Sequence, residues 1–267
     1  ELAEREQIIH AFELINRLVT EAGKQAQFQH YARGVLRPSF NAVGWELKAG
    51  ESVRDAKLRA SLIRALGELG DEEIIAACRE RFQKFLVDAE SLAPDLRPAV
   101  LEVVGHYADE STWNKLHQLG QKTNSVEEKQ YYYAALAGAQ DSKLAARSLQ
   151  LALTNELPTS RALAIVPRVA RDSGHPDMAW NFAKKNMKQL VSKADALGVN
   201  SYAPGMFTFF SDPARIAELK RYAEANLPAG SRKAVEEAAD EVSFRAEFKT
   251  RLMQQISELN SSAEPRG

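Results

Sequence analysis

Apolar residues recur at intervals of three and four along most of the chain. Leu58, Leu62, Leu66 and Leu69 form one stripe, and Ile74, Cys78, Phe82 and Phe85 form the next. Leu96, Val100, Val103, Val104 and Tyr107 follow, and Leu163, Val166, Val169 and Ala170 repeat the pattern later. This spacing puts each set on one face of an α-helix. No segment alternates with a period of two and β-branched enrichment, so no strand is predicted.

The polar positions between stripes read as helix starts. Asp71 follows Gly70 and precedes Glu72-Glu73, an N-cap with a favourable acidic first turn. Asp109, Asp141 and Thr159 are expected to cap in the same way. Ser52 and Asp55 have the spacing of a capping box, with Asp a partial match to the usual Glu or Gln. Pro176 and Pro213 suit the first helical position, after His175 and Asp212. Starts are therefore expected near Ser52, Asp71, Pro94, Asp109, Val126, Asp141, Thr159 and Pro176. Two such helices occupy roughly 35–40 residues, the length at which helix pairs stack into tetratricopeptide or HEAT-like arrays. The predicted fold class is all-α, an α-α superhelix (HEAT/armadillo-like solenoid) of paired antiparallel helices without a strict internal repeat. Residues 1–260 are read as one solenoid domain and residues 261–267 as a disordered polar tail.

Two places break the pattern. Pro167 lies inside the helix expected from Thr159 to Arg171, where it removes a hydrogen bond and crowds the preceding turn, so a kink or break is predicted. Residues 194–211 mix Gly198, Asn200, Pro204 and Gly205 with Tyr202, Phe207, Phe209 and Phe210. They form either an irregular packed segment or one poorly regular helix.

Composition agrees with helices and removes several function classes. The 267 residues include 41 Ala but only 14 Gly and 10 Pro, an excess of helix formers over helix breakers. A net charge of −1 argues against a nucleic-acid binder. One Cys excludes an internal disulfide framework and a Cys-based zinc site. It favours the cytoplasm and leaves the periplasm and secretion open. No apolar run approaches the roughly 18 residues of a membrane span. The chain opens Glu1-Leu2-Ala3-Glu4-Arg5, with neither Met nor a signal segment, and is read as a piece of a longer protein.

Candidate chemistry is sparse. His10, His30, His106, His117 and His175 include no His-Glu-x-x-His pair. His106 and His117 could share a helix face, but capping or solvated histidines are the plainer reading. Cys78 sits on an apolar stripe and reads as a buried structural thiol. No Gly-x-Ser-x-Gly elbow or phosphate-cradling loop occurs. No catalytic residue and no metal ligand is assigned. In Tyr131-Tyr132-Tyr133 at least one ring must leave the core, because successive helical residues point in different directions. Trp45 and Trp180 read as packing anchors, and Lys184-Lys185 as a solvated face.

The order of local patterns resembles one family. Tyr31-Ala32 through Leu36 leads to Val43-Gly44-Trp45; Leu58-Arg59 heads a helix running into Cys78, Phe82 and Phe85. Asp95-Leu96-Arg97 is followed by Val100, Gly105, Trp113 and Leu116. Glu128-Lys129 precedes Ala135-Leu136, and Asp141, Leu144 and Leu149 come after. Val169-Ala170 precedes Ala179-Trp180-Asn181-Phe182 and Asn186. This succession is similar to the C-terminal helical domain of zinc aminopeptidases of the puromycin-sensitive and endoplasmic-reticulum type. The core of the likeness spans residues 31–190 and continues more weakly over 191–260, where Phe244-Arg245 to Leu259 resembles the last helix.

The resemblance implies a non-catalytic bowl of helices that closes over a catalytic domain carrying zinc elsewhere in the parent. Its implied partners are that domain, within the same chain, and the peptide substrate, with no nucleic acid and no membrane span. It implies that basic and tyrosine side chains receive the peptide's C-terminal carboxylate, for which Arg161, Arg168, Lys185 and Tyr132 are the candidates. The chain departs from the family where Val-Arg-x-Gln-Asp usually stands: Leu157-Pro158-Thr159-Ser160-Arg161 occupies those positions. The family Arg is replaced by Pro158, and the small residues before Val169 become Pro167 and Arg168. The family Arg's role therefore does not carry over, and Arg161 or Arg168 is expected to supply charge from a shifted position or to be solvated. The alternative function is a free-standing HEAT-like scaffold that binds partner proteins, since fold alone does not set function.

Overall fold

In a computed structural model of the chain, these stripes fall on helices, except that Leu69, Leu96 and Tyr107 lie just outside α-helix ends and the last stripe is split, with Leu163 on one helix and Val166, Val169 and Ala170 on the next. The structure describes residues 2–48, 50–192 and 196–261. In chain order the helices are α1 (Leu2–Leu18), α2 (Ala22–Val43), α3 (Val53–Glu68), α4 (Glu72–Val87), α5 (Arg97–His106), α6 (Glu110–Lys122) and α7 (Val126–Ala137). They continue as α8 (Ser142–Leu151), α9 (Thr159–Leu163), α10 (Ile165–Asp172), α11 (Pro176–Val191), α12 (Ala196–Phe207), α13 (Ala214–Asn226) and α14 (Arg232–Ser261). Short 3-10 turns precede α5 and α14. Among the described residues there is no strand.

The expected caps form with few exceptions. Asp71 accepts from the Ile74 amide at 3.1 Å, Asp109 from Thr112 at 2.7 Å and Asp141 from Leu144 at 3.0 Å. Ser52 accepts from the Asp55 amide at 3.2 Å, and its hydroxyl donates to the Asp55 carboxylate at 2.8 Å. The shorter Asp is met by the serine hydroxyl, so the box closes side chain to side chain. Ser125 adds a cap that was not expected, on α7, accepting from the Glu128 amide at 3.2 Å. Thr159 is not a cap: it is the first residue of α9, and Pro158 holds the cap position in an extended conformation without a side-chain bond. Pro213 likewise holds the cap position of α13, one residue earlier than expected, while Asp212 accepts from the Ala214 amide.

The chain forms two compact units, one of the described residues up to 104 and from 251 onward, the other of residues 105–250. In the first, α1, α2 and α4 all pack on α3, whose Leu58, Leu62, Ile63 and Leu66 are buried. In the second, α6, α8 and α10 pack on α7. Consecutive residues Tyr132–Ala137 are buried, so the C-terminal half of this helix is covered on all sides rather than along one stripe. Small residues permit that burial. A Cβ added at Gly105 would stand 2.3 Å from the Ala135 carbonyl oxygen, and one at Gly120 would stand 2.6 Å from the Tyr133 ring. Within each unit helices pack mainly on near neighbours in sequence, which is the stacking of an α-solenoid.

Both irregular places resolve into helix with defined interruptions. The helix around Pro167 breaks at Ala164 into α9 and α10. Proline lacks the N–H that would bond the Leu163 carbonyl, and its ring crowds that same carbonyl. The break places Pro167 in the first turn of α10, where a missing N–H costs nothing. The released Leu163 oxygen accepts instead from the Tyr202 hydroxyl at 3.0 Å. Residues 196–207 form α12 with Pro204 inside it, the helical one of the two alternatives; residues 194 and 195 lie outside the described residues. The predicted tail is reached at Ser261, the end of α14, and its residues 262–267 also lie outside them.

Candidate functional site

In the second unit, one face of α7 meets one face of α9 and α10 along an open cleft of about 50 Å³. From α7 come Gln130, Tyr133 and Ala134; from α9, α10 and the residues beside them come Leu157, Arg161, Ala164, Ile165 and Arg168. The helical spacing is legible on both sides: positions three and four apart on α7, and three, four and seven apart from Arg161. The break at Ala164 does not spoil the second face.

The two arginines differ in how committed they are. Arg161 is exposed, and its side chain has no hydrogen bond or ion pair among the described residues. Arg168 is half-buried and lies 3.6 Å from Asp172, a carboxylate that Arg171 also engages at 2.6 Å. Guanidinium groups present planar N–H forks that match carboxylates, and the Gln130 amide is a further donor. Ala134, Leu157, Ala164 and Ile165 give apolar surface beside them. The arrangement suits an anionic, planar group carrying apolar atoms. No lining residue is a nucleophile or a general base.

Beside the cleft, Glu156 collects three hydrogen bonds on one carboxylate oxygen. Tyr133 Oη donates to it, Gln121 Nε2 donates at 3.3 Å, and His117 Nε2 lies at 2.7 Å. The His117 ring stands between Trp113, with centroids 5.0 Å apart, and Tyr133, 5.9 Å apart. Burial by itself would raise the Glu156 pKa, but the hydrogen bonds from Tyr133 and His117 hold it below the ordinary carboxylate value. Burial, reinforced by the bond to Glu156, pushes the Tyr133 hydroxyl upward.

The four sequence candidates separate. Arg161 and Arg168 line the same cleft. Lys185 is exposed on α11 and is not among the lining residues, and Tyr132 is buried at 5% exposure in α7. Gln130, Tyr133, Leu157 and Ile165 were not among the candidates: the buried residues 132–137 of α7 form no single stripe, and Leu157 and Ile165 join the cleft only through packing. Two of the other histidines face backbone oxygens. His106 Nδ1 lies 3.0 Å from the Gly138 oxygen, and His175 Nε2 lies 2.8 Å from the Gln140 oxygen. Among the described residues no group of His, Cys, Asp and Glu could hold a metal ion. Cys78 is buried, and burial pushes its thiol up to about 12. Trp45 packs on Phe40 and under Arg81, while Trp180 donates to Glu218 at 2.8 Å and packs on Phe207 and Tyr222. No described helix is long and apolar enough to cross a membrane.

Comparison with known proteins finds one family match and several relatives. The family described as "ERAP1-like C-terminal domain" matches residues 5–243. Aminopeptidase M1-D of Oryza sativa subsp. japonica is 27% identical over 219 residues, covering 80% of this chain and 25% of that protein. Glutamyl aminopeptidase of Mus musculus is 28% identical over 165 residues, covering 61% of the chain and 17% of that protein. Aminopeptidase 2 of Candida albicans is 32% identical over 110 residues, 41% of the chain and 12% of that protein. The chain thus spans about a quarter or less of the length of these relatives.

Proposed function

Because the chain belongs to the family of ERAP1-like C-terminal domains, we propose that it is the non-catalytic C-terminal part of a zinc-dependent aminopeptidase. In this reading it caps the active-site chamber of the catalytic domain and binds the C-terminal part of the peptide substrate. The family match runs through both compact units, which supports treating residues 1–260 as one domain. Zinc, held by the parent's catalytic domain, would activate water for attack on the first peptide bond. This chain's residues act on the other end of the substrate.

One observation carries the binding role: Arg161, without an acidic partner, stands with Arg168 at a single cleft beside apolar surface. A peptide's terminal carboxylate would accept from the two guanidinium forks and Gln130, and the apolar walls would take its last side chain. Replacing Arg161 or Arg168 by Gln in the intact enzyme is expected to raise KM for free-acid peptides by roughly tenfold. Peptide amides should change little, and Lys185→Gln should have a smaller effect than either arginine. Equal effects on acids and amides would overturn the assignment. Stoichiometric zinc and turnover of an aminoacyl reporter by this chain alone would overturn the non-catalytic reading.

A further inference from the structure

We propose that Glu156 is the positioning residue of the cleft, tethering the segment 152–158 to α6 and α7 and so setting where Leu157 and Arg161 stand. The inference rests on the carboxylate-site reading above and adds what holds that site in shape.

The need for a tether follows from the chain around Arg161. Helix α9 has five residues, too few to be stable by its own hydrogen bonds. It is not braced by continuity with α10, because the helix breaks at Ala164. On its other side lies the segment 152–158, which is not helical. The Leu153 and Thr154 amides return to Gln150 and Leu151, and the Glu156 amide bonds the Thr154 hydroxyl at 3.3 Å. Side-chain contacts connect both ends of this stretch to longer helices. At the C-terminal end Tyr202 on α12 holds the Leu163 carbonyl. At the N-terminal end the Glu156 carboxylate is held by His117 and Gln121 on α6 and by Tyr133 on α7. Leu157, the next residue, lines the cleft, and Pro158 accepts the first bonds of α9, from the Arg161 and Ala162 amides. The strut from Glu156 to Arg161 is therefore short and fixed at its base. Tyr133 belongs to both parts: it is one of the cleft's lining residues and its hydroxyl is committed to the tether.

The test uses the full chain with two readouts. The first is hydrogen exchange at the amides of 157–163. The second is fluorescence anisotropy of a labelled free-acid nonapeptide and its C-terminal amide. Glu156→Ala is expected to speed exchange across 157–163 by about tenfold while α6 and α7 stay protected, and to weaken the free acid by about tenfold. Glu156→Gln keeps an acceptor for Tyr133 and should recover much of both effects. Unchanged exchange in Glu156→Ala, or a rise spread evenly over the unit, would overturn the tether. So would unchanged free-acid affinity in Glu156→Ala when Arg161→Gln abolishes it. If Arg161→Gln leaves binding intact while Glu156→Ala still frees 157–163, the tether stands and the carboxylate reading fails.

Discussion

Arg59 has no exposed surface, and each nitrogen of its guanidinium nonetheless has an acceptor. It donates to the Gly44 oxygen at 2.8 Å and the Val43 oxygen at 3.1 Å, and meets both oxygens of Glu51 at 2.6 Å. The loop between α2 and α3 is thereby closed onto α3. Only a planar fork reaches all four oxygens, so Arg59→Lys is not conservative here. We expect Arg59→Lys or Arg59→Ala to lower Tm by roughly 6–12 °C, read by calorimetry; a shift within error would show the clamp to be dispensable. Cys78 gives a second residue-scale expectation. Its thiol, buried and pushed up to about 12, should resist a thiol reagent in the native chain and react stoichiometrically once unfolded. The spacing of Cys78 with Phe82 and Phe85 was enough to foresee its burial. The sequence marked Leu58-Arg59 as part of the family pattern but not Arg59 as a clamp, since its position on an apolar face makes sense only with the loop folded over it.

Helix propensity and helix packing pull in opposite directions at two glycines. In α2, nothing lies within 4 Å of the point where a Cβ on Gly34 would stand, so Gly34→Ala should stabilise by up to about 1 kcal/mol. At Gly105 the same change meets the Ala135 carbonyl oxygen at 2.3 Å, a backbone atom that cannot swing aside. There we expect a loss of about 1–3 kcal/mol by urea unfolding, and a gain at Gly105 would mean that Gly105 and Ala135 separate freely. Pro167 and Tyr202 form a coupled pair. With Pro167 present, Tyr202→Phe strands the Leu163 oxygen and should cost about 1 kcal/mol. In a Pro167→Ala background an amide can take that oxygen, so the same change should cost measurably less. A double-mutant cycle with no coupling would refute the link. The break itself was legible from Pro167, because its steric demand is local. Its partner was not, because Tyr202 lies 39 positions away from Leu163.

For the whole molecule, shifted ionisations set a window of stability. Glu51 is held at about 2 by its Arg59 hydrogen bonds and the Lys48 amide. Glu156 is lowered despite burial, as is Glu218 through Trp180 and Arg215. Lowered carboxylates bind protons more weakly when folded. Their contribution is therefore complete above the ordinary value of 4.5 and is lost as pH falls below it. Burial raises Tyr133, Tyr202 and Tyr222 above 10, so their contribution is complete below that value and lost as pH rises beyond it. Tm should be flat between about pH 5 and pH 9 and fall on both sides. An acid limb no less steep in Glu51→Gln would remove Glu51 as a cause.

By itself the sequence determined the class of fold, the helix starts at Asp71, Asp109 and Asp141, the break near Pro167 and the family likeness. Each of these depends on residues close together in the chain, where periodicity, caps and proline sterics act directly. The order of motifs from Tyr31 to Asn186 was enough for the family because many weak local signals accumulate along one line. The cleft was only half legible. Arg161 and Arg168 were recognised as charges out of their usual register, whereas Tyr133 rather than Tyr132 facing the cleft was decided by packing. The C-terminal half of α7 is buried on all sides, so its periodicity does not single out one face, and the neighbours α6, α8 and α10 choose it. The convergence of Tyr133, Gln121, His117 and Glu156 was likewise a tertiary decision. One carboxylate can gather donors from two helices only after those helices have packed.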